Sequence, residues 1–266
     1  MKRRIGLFSF VYVWFALLII LPVIGMLSGA FRDGFGQFWV QLTKPDALFS
    51  LRLTFEITAI TVIINTVFGI LTSIIIARRN MRGWQVVNAI VDIPFAVSPV
   101  IAGLALLLIY GPNTFIGGFL QQNNVKLMFA MPGMVMATLF VTFPFVVREL
   151  VPVLREIGTQ QEEAALTLGA SGWRIFWRVT LPEIKWSLIY GMVLTIARAQ
   201  GEFGAVLVVS GSLIMLTQTA TLYVYQATVN SQMQGAYAVS LVLAATSFVI
   251  LLLLHFVRKR QGVQRV

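Results

Sequence analysis

Six apolar runs, separated by short segments that hold most of the charge, organise this chain. They cover about residues 6–27, 54–77, 86–110, 131–150, 186–209 and 236–256. Each is long enough to cross a hydrocarbon layer about 30 Å thick as an α-helix, which takes about 20 residues. The pattern predicts an all-α polytopic membrane protein with six transmembrane helices. It forms a single domain over residues 1–266, with a core at about 54–256. Prolines fall within the runs: Pro22 in the first, Pro94 and Pro99 in the third, Pro144 in the fourth. Proline removes a helical hydrogen bond, so Pro94 and Pro99 predict breaks that free carbonyls toward a pore wall, or kinks set by packing.

The connections differ in character. Residues 28–51 mix Arg32, Asp33, Lys44 and Asp46 with Phe35, Phe38 and Trp39, as at a membrane interface. Residues 111–130 carry one charge, Lys126, and residues 210–234 carry none. Ile5 to Phe31 is 27 residues without a charge, longer than the apolar core of a cleaved signal, and is expected to be a retained span. There is neither a low-complexity linker nor an internal repeat.

Composition narrows the function class. Hydrophobic residues make up 58% and charged ones 11%, where a soluble domain carries about 25% charge. Without cysteine and with His255 as its one histidine, the chain has no disulfide framework, thiolate metal site or histidine cluster. The net charge of +10 does not signal nucleic acid, because the basic residues flank the apolar runs. The N-terminal tail, the second and fourth connections and the C-terminal tail hold three, three, five and four of them, fifteen of the twenty. The alternate side has only Arg32, Lys44, Arg52 and Lys126, and Arg198 falls within a span. Loops rich in Lys and Arg stay inside, so both termini and the connection after the fourth span are expected to be cytoplasmic.

Two stretches carry candidate chemistry. Arg198 and Glu202 stand four apart in the fifth run and share a helix face, about 18 Å from Trp186, so each needs a partner or a wet path. A structural ion pair and a gating or pathway role both fit. Gly201 and Gly204 flank Glu202 and allow close approach or bending. Asp92, Pro94, Ser98 and Pro99 are the pathway candidates of the third run. The other stretch is the charged interval 148–185. Thr159 followed by Glu162 reads as a capping box for a short surface helix over Gln160–Leu168, which Gly169 stops or turns left-handed. A second segment carries Trp173, Phe176 and Trp177 among Arg174 and Arg178, and Pro182 opens the fifth helix. By physical chemistry alone, residues 159–182 are either an interfacial linker or a docking device for a soluble partner.

Glu163-Ala164-Ala165, Gly169 and Leu181-Pro182 stand at the spacing of the coupling loop of bacterial ABC importer permeases, and the interval resembles that loop at every signature position. The segment 197–205, Ala-Arg-Ala-Gln-Gly-Glu-Phe-Gly-Ala, resembles the fifth-helix motif of sulfate and molybdate permeases. Asp92 to Gly103 and Phe143 to Leu150 add further likeness, which extends over about residues 8–256. The resemblance implies a permease subunit in the bacterial inner membrane, paired with a second permease subunit, homologous or another copy. It implies two cytoplasmic ATPase subunits that carry MgATP, and an external solute-binding protein, with no cofactor on this chain. Glu163, Ala164, Ala165, Leu168, Gly169, Leu181 and Pro182 would couple to the ATPase. The implied solute is sulfate or thiosulfate. These permeases carry basic residues just after the fifth helix and this chain has none there, which leaves molybdate and tungstate open. The chain has no phosphate-loop motif of its own, so an enzyme is not expected. An ion-coupled secondary transporter would use Arg198, Glu202 and Asp92 but would not account for the Glu163 to Pro182 pattern.

Overall fold

A computed structural model describes residues 2–78 and 84–263, with side chains over residues 12–78 and 86–256. Arg79, Arg82 and Arg265, and the side chains of Lys2–Arg4 and Arg258–Arg260, which entered the charge count, lie outside the described residues.

All the regular structure described is helical. The chain runs α1 (Lys2–Ala30), α2 (Phe35–Leu42), α3 (Pro45–Arg78), α4 (Trp84–Ala96), α5 (Pro99–Tyr110) and α6 (Phe115–Gln122). It continues through α7 (Met131–Ile157), α8 (Gln160–Thr167), α9 (Gly172–Ile175) and a π-helical turn at Phe176–Thr180. Last come α10 (Leu181–Gln200), α11 (Gly204–Ser210), α12 (Ala220–Val229) and α13 (Met233–Val263). Among the described residues, four helices are long and apolar enough to cross a membrane, and six crossings result if each of two bent pairs counts as one.

Both bent pairs fall in the runs where prolines or glycines offered a break or a bend. Over residues 86–110 the chain turns through 108° between α4 and α5. Ser98 precedes a proline and takes φ −58°, ψ 136°, out of the helical region, and Pro99 then starts α5. Pro94 lies inside α4 and ends nothing. Over residues 186–209, α10 ends at Gln200 and the path bends by 57° into α11. Other runs prove longer than their hydropathy: α3 begins at Pro45 and has 34 residues, about 51 Å of helix. The connections are also structured. Residues 111–130 hold α6, and residues 210–234 hold α12 with Thr217, Gln218 and Thr219 buried.

At the centre stand α3, α7 and α10. Their closeness comes from two glycines facing one valine. A Cβ on Gly69 of α3 would fall 2.7 Å from Val146 Cγ1 of α7, and one on Gly191 of α10 would fall 3.1 Å from Val146 Cα. Val146 is fully buried. In a lipid solvent small residues permit such contact and dispersion holds it. Asn65 Nδ2 donates to Thr142 Oγ1 at 2.7 Å across the same α3–α7 seam, and that hydroxyl donates to Thr138 O. By contrast, α1 packs chiefly on α13 and exposes most of its apolar surface.

Candidate functional site

The helix α8 stands off the bundle with no buried residue. Glu163, Ala164, Leu168 and Gly169 are exposed, Leu168 by 88%, while Ala165 is half-buried. Its end is a Schellman motif: the Ala170 N–H donates to Ala165 O at 3.0 Å and the Gly169 N–H to Leu166 O at 2.9 Å. That geometry requires a left-handed residue, and Gly169 has φ +81°.

The expected capping box does not form. Thr159 is the N-cap by position, but its hydroxyl donates to the Glu163 carboxylate at 2.6 Å instead of accepting from the backbone. Glu162 turns inward, where Arg78 Nη2 and Thr180 Oγ1 both donate to its Oε1 at 2.8 Å. A charge-assisted bond to a guanidinium outweighs one to a backbone N–H. Beyond Gly169, Trp173 and Trp177 are exposed with their rings edge to face at 5.5 Å, while Ile175 and Thr180 are buried. Leu181 and Pro182 open α10, Pro182 in the first turn where its missing N–H costs nothing.

The second constellation lies where the broken helices meet. The first turn of α5 and that of α11 cross at small residues. A Cβ on Gly204 would lie 3.0 Å from Val100 Cγ2 and 3.3 Å from Pro99 Cβ, and one on Gly103 would lie 2.6 Å from Ala205 O. Gly201 caps α10 at φ −92°, and a Cβ there would meet only Ala197 O at 3.9 Å and Arg198 O at 4.0 Å, ordinary contacts, so neither sterics nor backbone requires glycine there. Glu202 lies two residues beyond α10, yet it still meets Arg198, Nη1 to Oε2 at 2.7 Å. Its other oxygen, Oε1, accepts from the Ala205 N–H at 2.9 Å, and its backbone carbonyl accepts from Thr221 Oγ1 at 2.9 Å. Glu202 is 3% exposed. The Ala220 N–H donates to Thr54 Oγ1 at 2.8 Å, so the start of α12 is stitched to α3 and to the α10–α11 break together. Oxygens of Thr58, Thr61 and Gln200 are buried without a hydrogen-bond partner among the described residues.

Of the third-run candidates, Pro99 makes the break, Ser98 beside it is exposed, and Asp92 accepts from Arg148 Nε of α7 at 2.7 Å. Asp92 is thus held in an ion pair, away from Arg198 and Glu202. Sequence reasoning missed Arg78, Thr180, Thr54 and Thr221. Arg78 counted only toward the basic-residue asymmetry, because the partners of these four residues are distant in the chain.

Broken spans around a polar centre, with a capped helix projecting from one end, define a polytopic all-α membrane protein of the ABC-importer permease type. The fold matches a solved bacterial ABC transporter involved in the import of the acidic polysaccharide alginate, with TM-score 0.78 and 19% identity over 97% of this chain and 96% of that one. A family profile described as binding-protein-dependent transport system inner membrane component matches residues 67–262, and the chain belongs to that family. It is 46% identical to the sulfate transport system permease protein CysW of Synechococcus elongatus over 96% of this chain and 89% of that protein. It is 53% identical to the CysW of Escherichia coli K12 over 74% and 68%. The chain is therefore a membrane-embedded permease of CysW/CysT type. Among the described residues no three Asp, Glu or His gather as a metal site.

Proposed function

We propose that this chain is the permease subunit of an ATP-driven importer of sulfate-type oxyanions, loaded by an external binding protein. One observation carries the coupling: the Glu163-Ala164-Ala165 helix is exposed, ends in the left-handed turn at Gly169, and offers small side chains with the bare Leu168. In this reading α8 seats in a groove of a cytoplasmic ATPase. Glu163 accepts charged hydrogen bonds, and Ala164, Ala165 and Leu168 pack closely. Leu181 and Pro182 pass the displacement into α10. Two such ATPases carry MgATP, a second permease subunit completes the pathway, and the basic-residue asymmetry puts α8 and both termini inside. The names of the relatives support sulfate. Molybdate or tungstate is the second reading, favoured by the lack of any charge over residues 210–234. The path itself runs by the α5–α11 crossing and the polar groups around Glu202, with Ser98, Pro99, Gly201 and Gly204 at its breaks.

The test is an Ala165→Cys variant, free of competing thiols because the chain has no cysteine. Paired with cysteines along the ATPase surface, it is expected to cross-link at particular positions with a yield that changes with ATP. A transport-active complex without any cross-link refutes docking. ATP hydrolysis stimulated by binding protein loaded with sulfate, and not with molybdate or tungstate, identifies the anion.

A further inference from the structure

We infer that Arg78 is a positioning residue for coupling: it fastens α8 to the central helices so that displacement of α8 moves them as one body. This rests on the proposed docking of α8. The geometry is a four-way node. Arg78 is the last residue of α3. Its Nη1 donates to Leu154 O at 2.9 Å and Gly158 O at 2.5 Å, capping the end of α7, whose last carbonyls have no helical partner. Its Nη2 donates to Glu162 Oε1 of α8 at 2.8 Å. The same carboxylate oxygen accepts from Thr180 Oγ1, in the residue before α10 begins. The side chains of Arg78 and Glu162 are only 14% and 21% exposed, so solvent screens the pair weakly.

Arg78 and Glu162 together join α3, the end of α7, α8 and the π turn that leads into α10. Remove Arg78, and α8 is attached to the bundle only through the loop at Gly158, the Glu162–Thr180 hydrogen bond and its packing on α9 and the π turn, and it loses its tie to α3 and the end of α7. The helices the node gathers, α3, α7 and α10, are those locked together at Val146 by Gly69 and Gly191. A push on α8 therefore meets a rigid body, and α10 carries it to the break at Glu202. Lysine cannot replace the planar fork, which serves two carbonyls and a carboxylate at once.

The experiment measures sulfate transported per ATP hydrolysed in proteoliposomes of the full complex with its binding protein. Arg78→Gln is expected to lower that ratio by about tenfold, and Arg78→Lys to give an intermediate value. The Ala165→Cys cross-link to the ATPase is expected to persist in the Arg78→Gln background. A merely structural role lowers the amount of assembled complex and leaves the ratio unchanged, and that result overturns the inference. Should Arg78→Gln fail to assemble, Glu162→Gln is measured in the same way, and an unchanged ratio there overturns it too. Loss of the cross-link in the otherwise native chain would instead remove the docking reading on which the inference stands.

Discussion

Glu202 holds three attachments at once, to Arg198, to the first turn of α11 and, through its carbonyl, to α12. The ion pair is the costly one. Arg198 is a third exposed and Glu202 almost wholly buried, so removing one charge leaves the other poorly solvated. Glu202→Gln is expected to destabilise the assembled protein by about 3 kcal/mol and to depress transport. The double variant Arg198→Gln, Glu202→Gln is expected to recover about 1–2 kcal/mol of that loss. Thermal unfolding in detergent and transport rate both read the cycle, and simple additivity would show that the two charges are not an energetic unit. Gly169 is a different kind of residue, selected by its backbone alone. At φ +81° a Cβ would meet nothing within 4 Å, so the cost of substitution is conformational. Asn tolerates the left-handed region and valine does not. Gly169→Asn is expected to keep most transport-coupled ATP hydrolysis and Gly169→Val to lose most of it. If Asn and Val fall equally, the position acts through contact and not through φ.

Among the elements, the contact of α3, α7 and α10 around Val146 decides how force is shared. Gly69→Ala would push a methyl to 2.7 Å from a buried, β-branched side chain that cannot swing away. The expected cost is about 1–3 kcal/mol of stability. Val146→Ala in the same background makes room for the added methyl and is expected to restore part of the melting temperature. No recovery would mean that the clash lies elsewhere on the α3–α7 seam. The broken elements follow the opposite logic. Pro99 forces a turn that a continuous helix would not make, and Gly103 and Gly204 let α5 and α11 close over it. Pro94, only five residues earlier, is absorbed within α4. A proline marks where a helix is weak, and packing decides whether it breaks there.

Over the whole molecule, a stiff three-helix centre is tied at one end to a projecting helix and at mid-depth to a polar break. The sequence by itself determined the helical, membrane-spanning character of the chain and the rough position of its apolar runs, the place of the exposed helix and the left-handed stop at Gly169. Hydropathy, capping and glycine chemistry act between near neighbours, so a linear reading reaches them. It misjudged element ends, because helix continues past the apolar run: α7 runs on through Arg155 to Ile157, and α3 starts upstream at Pro45. Only the tertiary structure decided which polar groups meet. Arg78 and Glu162 stand 84 positions apart and Arg148 and Asp92 stand 56 apart, and packing alone brings each pair within reach. That is also why the local rule failed at Thr159. The spacing to Glu162 satisfied a capping box, but a guanidinium delivered from α3 offered the carboxylate a stronger bond.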